Sequence, residues 1–144
     1  MAHPNYAKAR IAQPNKVESV DRCGQTPNMR NLFMQDCIFC KIIEGNVPTT
    51  LIDQNDDLIV IKDIAPKAPI HYLIIPRKHI NNVLELEEQD AHLMAKIALM
   101  AKKLSQKLSG SQSFRLIMNN GADAGQKVWH MHCHFISGHH VSDF

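Results

Sequence analysis

An antiparallel α+β domain is the fold class this sequence predicts, and three observations carry that expectation. Short apolar runs bounded by turn residues recur along residues 37–144. One long stretch has helical periodicity, and the last strand-like segments follow that helix rather than alternating with others. Taken in order, residues 37–45 read as a short helix stopped by Gly45 and Pro48. Residues 50–53 and 58–63 read as strands, with the turn formers Asn55, Asp56 and Asp57 between them. Pro66 and Pro69 bracket a loop, and 70–76 is a third strand. Residues 87–109 form the long helix: acidic at its start, closed by Lys102, Lys103 and Lys107, and stopped at Gly110. Ala91, Met94, Ala98, Ala101, Leu104 and Leu108 recur at helical spacing and are expected to face the core. Residues 113–118 and 129–136 complete the sheet.

Composition excludes several function classes. The chain has 144 residues, 44% apolar and 21% charged, an ordinary globular balance. The first 36 residues carry 5 basic and 3 acidic groups; the remaining 108 carry 11 of each. An electroneutral domain lacks the cation excess that a nucleic-acid surface needs to displace counterions. A small phosphorylated ligand needs only a few well-aimed donors and stays open. No apolar run approaches the roughly 20 residues of a membrane span. Residues 1–35, rich in Asn, Gln and Pro, show no sustained period and are expected to be a flexible extension preceding a domain over 36–144. They lack the apolar stretch of an export signal, so Cys23, Cys37, Cys40 and Cys133 are read as free or metal-bound thiols in the cytoplasm.

The chemistry concentrates near the C-terminus. Five of the nine histidines fall in the last fifteen residues, three of them alternating in His130-Met131-His132-Cys133-His134-Phe135-Ile136. In a strand, successive side chains face opposite sides, so Met131, Cys133 and Phe135 face the core while three imidazoles, about 6.5–7 Å apart, line the other face. A histidine offers a nucleophile, an acid and a base near neutral pH, and binds metals. The scattered His3, His92, His139 and His140 are read as ordinary residues. Just upstream, residues 119–126 (NNGADAGQ) hold two glycines between strands, a loop whose backbone N–H groups can face an anion. A phosphate cradle beside a nucleophile suits attack at phosphorus, where positioning and charge stabilisation supply most of the catalysis. A neutral imidazole attacks only if its other nitrogen is fixed by a hydrogen bond, which a carbonyl of the same region can supply.

On these residues the sequence resembles the histidine triad superfamily, in particular its nucleotide-binding, purine nucleoside phosphoramidase branch. HMHCHFI after NNGADAGQ matches the signature. DIAPKAPIH (63–71), IIPRKHI (74–80) and CIFCKII (37–43) match that branch in the same order, so the resemblance covers about residues 36–138. It implies an antiparallel five-stranded sheet with one long and one short helix, and a homodimer joining two sheets into one of ten strands. His132 would be the nucleophile that forms a covalent nucleotidyl-histidine. His134 would bind the phosphate and assist the leaving group, His71 would support the site, and His130 would serve as a supporting residue or metal ligand. Asn119, Gly125, Gln126, Lys127 and Val128 would lie along the phosphate and ribose, and Phe39, Val47, Ile61, Asp63 and Ile64 would form the purine and ribose pocket.

The implied activity is hydrolysis of AMP– or GMP–amine adducts without an organic cofactor. The alternatives are a dinucleoside polyphosphate hydrolase, a nucleotide-binding or interaction module with weak turnover, and a zinc-dependent hydrolase that uses all three histidines as ligands. Lys127 stands where the family usually carries a small hydroxyl residue associated with the leaving group, and the chain ends at Phe144 without the tryptophan-containing tail that shapes substrate choice across the dimer in animal relatives. The first bears on leaving-group preference, the second on specificity. In bacterial relatives a Cys-x-x-Cys pair, a histidine at the His79 position and the first triad histidine bind zinc. Cys37, Cys40, His79 and His130 would make such a closed structural site here, with inert buried thiols as the alternative.

Overall fold

A computed structural model describes residues 36–138; the extension expected over 1–35, with Cys23 and His3, and the pair His139–His140 lie outside the described residues. The elements are α1 (Ile38–Ile43), β1 (Leu51–Gln54), β2 (Leu58–Lys62), β3 (Ile70–Pro76), α2 (Ala91–Ser105), β4 (Arg115–Ile117) and β5 (Cys133–Ser137). The five strands form one antiparallel sheet in the order β1-β2-β3-β5-β4, as the α+β expectation requires.

Pleating assigns each strand residue to a face. Leu58, Val60, Ile74, Cys133 and Phe135 point to one face and pack under α2 through Leu93, Ile97, Met100, Ala101 and Leu104. Ile59, Ile61, Leu73 and Ile75 point to the other and pack under α1 through Phe39, Cys40, Ile42 and Ile43. The central run Leu58–Ile61 is therefore apolar on every residue and almost fully buried. Asn55 makes the β1–β2 turn by accepting from the amides of Asp57 (3.0 Å) and Leu58 (2.8 Å). Lys103 and Lys107 then tie α2 to Asp53 at 2.8 and 2.7 Å.

The α2 stripe differs from expectation. Ala101 and Leu104 are buried and Leu108 is half-buried against the core, but Ala91, Met94 and Ala98 face outward. Two apolar stripes run side by side on this Ala- and Met-rich helix. The one carrying Leu93, Ile97 and Met100 turns inward because it removes more apolar area from water. The helix also starts later than residue 87, after a 3-10 turn over Glu88–Asp90 in which buried Asp90 binds Lys78 at 2.6 Å. It ends at Ser105 rather than 109.

The histidine-bearing strand starts at Cys133, not Trp129. Register runs Ile74↔Cys133, and the partner strand ends at Pro76, which has no N–H to continue the ladder. Met131 N–H instead reaches the carbonyl of Ile80 at 2.6 Å. Strand β4 is likewise trimmed from 113–118 to Arg115–Ile117.

Phe135 is fully buried, stacked on Phe114 (4.8 Å between centroids) and Tyr72 (6.1 Å). Phe135→Ala is expected to cost about 3–5 kcal/mol in urea unfolding through a lowered midpoint at unchanged slope. A loss below about 1 kcal/mol would show that this face of the sheet is not the packed core described.

Candidate functional site

The face of the sheet that α1 leaves open carries the chemistry. His134 on β5 stands across from Leu73, and His71 on β3 across from Ile136, which places both imidazoles on the α1 side of the sheet. His132 and His130, just before β5, reach under α1, where Phe39 meets each ring edge-on at 5.2 and 5.8 Å. The alternation expected of the run holds: Met131, Cys133 and Phe135 are in the α2-side core.

Each histidine's free nitrogen follows from its partner on the other. His132 Nδ1 lies 2.7 Å from the carbonyl oxygen of His130, which can only accept, so Nδ1 carries the proton and Nε2 presents a lone pair. This is the same-region carbonyl that the sequence reading required. Burial lowers the basicity of His132, against the hydrogen bond to His130 and the charge of Asp63, and so favours the neutral ring.

The tautomers of His71 and His134 are set in sequence. Lys67 N–H donates to His71 Nδ1 at 3.0 Å, so a neutral His71 carries its proton on Nε2. That nitrogen sits 2.9 Å from His134 Nδ1 and 3.3 Å from Asp63 Oδ2. With Nδ1 of His134 accepting, its Nε2–H is the outward donor. Asp63, His71 and His134 have metal-like spacing. However, an imidazole that accepts at Nδ1 and is protonated at Nε2 has no lone pair for an ion, so this trio reads as a hydrogen-bond relay.

Burial, with the neighbouring His132 and His71 rings adding, depresses His134 to about 4. In the unfolded chain it would take a proton near pH 6.5, so between about pH 6.5 and 4 the unfolded state binds more protons. The stability this neutral ring contributes is complete above pH 6.5 and is lost as pH falls towards 4. His134→Asn is expected to make that part of the stability–pH curve, measured by urea unfolding, shallower, with buried His130, likewise depressed to about 4, keeping the remainder; an unchanged slope would show that His134 contributes none of it.

The loop over 119–126 differs from the open cradle expected of it. Gly121 and Gly125 take φ of +93° and +83°, flanking a 3-10 turn at Ala122–Ala124. The amides of Ala124 and Gln126 donate to Gly121 O, that of Gly125 to Ala122 O, and that of Gly121 to Gln126 Oε1. Asn119 Nδ2 is held by the carbonyl of Ala124. These donors are spent on shaping the loop. The main-chain N–H groups of Lys127 and Val128 have no partner among the described residues, so the uncommitted backbone donors lie at the loop's exit. Buried Gln126 is the clasp: its Nε2 donates to Asn81 O (2.6 Å) and Val128 O (3.0 Å).

Of the expected base and ribose pocket, Phe39 and Ile61 are buried together, and Val47 packs at the edge of the same cluster with Val128. Asp63 is half-buried beside His71. Ile64 is 99% exposed and touches no packed cluster, so the structure places it at an open rim.

The four expected metal ligands do converge. Cys37 Sγ and Cys40 Sγ lie 3.4 and 3.6 Å from His130 Nδ1, and Cys40 Sγ lies 3.2 Å from His79 Nδ1. All four donor atoms lie within 4.8 Å of one another, close to the about 3.6 Å edge of a tetrahedron built on zinc bond lengths. Their outer partners fit as well. His130 Nε2 donates to Pro76 O at 2.7 Å and His79 Nε2 to Asn81 Oδ1 at 3.2 Å, so both Nδ1 lone pairs face the sulfurs. Burial pushes the Cys40 thiol up to about 12, with Cys37 and Glu44 adding, and depresses His130 to about 4. A buried neutral imidazole beside two sulfurs is the donor chemistry zinc takes. His130 is thus committed to the thiols and His134 to His71, so the three triad histidines do not share one ion.

Sequence reading missed the residues that act through the main chain or from loops. Pro76 O, Lys67 N, Ile80 O and Asn81 have no signature, because their role depends on tertiary approach. Only the asparagine run at 81–82 was a visible polar interruption.

A five-stranded α+β sheet with an alternating histidine strand beside a glycine loop is the architecture of a histidine-triad protein, and the comparisons agree. The family model "Scavenger mRNA decapping enzyme C-term binding" matches residues 36–144. An uncharacterized HIT-like protein of Synechocystis sp. is 36% identical over 104 residues, 72% of this chain and 91% of that protein. Two solved HIT family hydrolases superpose well. That of Clostridium thermocellum has a TM-score of 0.73 at 40% identity, covering 76% of this chain and 96% of its own. That of Legionella pneumophila Philadelphia 1 has a TM-score of 0.70 at 38% identity, covering 74% and 96%. The chain belongs to the histidine triad superfamily.

Proposed function

We propose that this protein hydrolyses purine nucleoside 5′-phosphoramidates through a nucleotidyl-histidine. The observation that carries the reading is His132, whose Nδ1–H is held by the His130 carbonyl so that Nε2 is a free nucleophile. Its Nε2 attacks the α-phosphorus; the N–P bond to His132 forms as the P–N bond to the amine breaks. The amine nitrogen takes one proton from solvent water as it leaves, while neutral His134 keeps its Nε2–H as a hydrogen-bond donor to the phosphate oxygens. Water then gives its hydroxyl to phosphorus and its proton back to solvent, and the bond to His132 breaks to release AMP or GMP. The N–H groups of Lys127 and Val128, with His134, receive the phosphate oxygens. Phe39, Val47, Ile61 and Ile64 receive the base, and Asp63 accepts from the ribose hydroxyls.

Cys37, Cys40, His79 and His130 would hold zinc, which supplies a structural cross-link between α1 and the histidine segment. Exposed Met94 and Leu99 on α2, with Phe114 and Leu116 at the open β4 edge, support a homodimer with a continuous ten-stranded sheet. The free thiols of Cys37, Cys40 and Cys133 suit the reducing cytoplasm.

One observation favours a second substrate class. Lys127 is an exposed cation beside the anion-binding amides, which suits an anionic leaving group such as the nucleotide half of a dinucleoside polyphosphate. Incubation with adenosine 5′-phosphoramidate, acid-free quenching and peptide mass spectrometry should find an adenylyl group on His132. Tight AMP binding with neither adduct nor turnover on phosphoramidates or polyphosphates would instead identify a nucleotide-binding module.

A further inference from the structure

Residues 79–83 join the metal centre to the phosphate loop. His79 presents Nδ1 to Cys40 while its Nε2–H is held by Asn81 Oδ1 at 3.2 Å. Asn81 cannot flip, because its Nδ2 donates to both oxygens of the exposed Glu85 carboxylate, at 2.9 and 3.0 Å. A carboxylate accepts only, so the amide's oxygen is committed to His79. From the same residue, the main-chain carbonyl accepts from buried Gln126 Nε2 at 2.6 Å, and Gln126 Oε1 in turn receives the N–H of Gly121 at 2.9 Å. Two further bonds hold the same segment: Met131 N to Ile80 O (2.6 Å) ties it to the histidine run, and Val83 N to Asn120 Oδ1 (3.0 Å) ties it to the loop.

We propose that Asn81 is a positioning residue that couples the Cys₂His₂ centre to phosphate binding. Its side chain orients His79 as a ligand, and its carbonyl anchors the Gln126 clasp that shapes the 119–126 loop. The proposal rests on reading the exit of that loop, the N–H groups of Lys127 and Val128, as the phosphate site; the clasp reaches it through Val128 O at 3.0 Å. When both Nδ1 atoms and both sulfurs hold an ion, His79 can no longer rotate away from Asn81, the 79–83 segment is pinned, and the clasp with it. Coupling of this kind is reciprocal: if zinc tightens AMP binding, AMP tightens zinc binding by the same factor.

The test uses the full chain and two readouts. Zinc affinity is measured by chelator competition with and without AMP, and amide hydrogen exchange at Gly121 is measured with and without zinc. In the wild type, AMP should raise zinc affinity about five-fold or more, and zinc should slow exchange at Gly121. Asn81→Ala should weaken zinc about 10–100-fold, the usual cost of losing an outer-sphere partner, and should lose both couplings even when zinc saturates. Glu85→Ala, on an exposed side chain that does not threaten folding, should move both readouts the same way to a smaller extent. Gly121 exchange indifferent to zinc, or an Asn81→Ala protein that binds zinc as tightly as wild type, would overturn the proposal. A protein that binds no AMP would sink the proposed function, while Gly121 exchange would still decide the coupling.

Discussion

His132→Ala is expected to lower phosphoramidate turnover by at least about 10⁴-fold while AMP affinity changes only a few-fold. The nucleophile is the one group whose loss removes the first covalent step outright, and single removals of this kind abolish nearly all of the catalytic advantage. Binding is expected to survive because the donors proposed to surround phosphate, the N–H groups of Lys127 and Val128 and the His134 Nε2–H, do not depend on the ring at 132. His132→Asn sharpens the test, since an amide can keep a donor to the His130 carbonyl, 2.7 Å from Nδ1 in the native site, yet cannot form the intermediate. Both variants should show single-turnover rates near background and no adduct by mass spectrometry. Residual turnover within 100-fold of wild type in either would mean that water attacks directly, and the nucleotidyl-histidine would have to be abandoned.

Much of this site was legible before any coordinates. Strand 70–76 was read to the residue, since Ile70 and Pro76 bound it with a run of β-formers between. The facing of His130, His132 and His134 followed from alternation alone, and it survived even though the first two lie outside the regular ladder. What alternation could not give was the partner of each ring. His130 turns to Cys37 and Cys40, more than ninety and exactly ninety positions away, His132 to a carbonyl, and His134 to His71. Such pairings are set by tertiary approach, and the convergence of the metal ligands was expected only through resemblance to bacterial relatives. The α2 stripe failed for a different reason: two periodic solutions were present, and only the packing of Leu93, Ile97 and Met100 into the core with Leu58, Val60, Ile74, Cys133 and Phe135 chose between them. The loop at 119–126 was recognised by its glycines, but which amides would be spent on its own turn was a matter of φ at Gly121 and Gly125.

Removing the zinc proposed for Cys37, Cys40, His79 and His130 is expected to lower Tm by on the order of 15–30 °C. A ligand present at 1,000 times its Kd stabilises the folded state by about 4 kcal/mol, and each kcal/mol shifts a domain of this size by about 4–8 °C. The structural reason is local. Helix α1 has six residues, too few to persist in isolation, and it stays docked through Phe39, Ile42 and Ile43 together with the two sulfurs. Once the cross-link is lost, the cluster keeps two buried thiols, and His130 is held only by its bond to the Pro76 carbonyl and weak sulfur contacts to Cys37 and Cys40. His130 also supplies the carbonyl that fixes the His132 tautomer, so turnover should fall in step with helix docking rather than with global unfolding. Chelator titration followed by calorimetry, with zinc quantified by elemental analysis, separates the outcomes. Tm that responds neither to chelation nor to zinc added back would leave the Cys37–Cys40 pair as buried thiols and require α1 to be held by its apolar contacts alone. Cys40→Ser should reproduce the chelated state without any chelator, and readdition of zinc should restore wild-type Tm but not that of the variant.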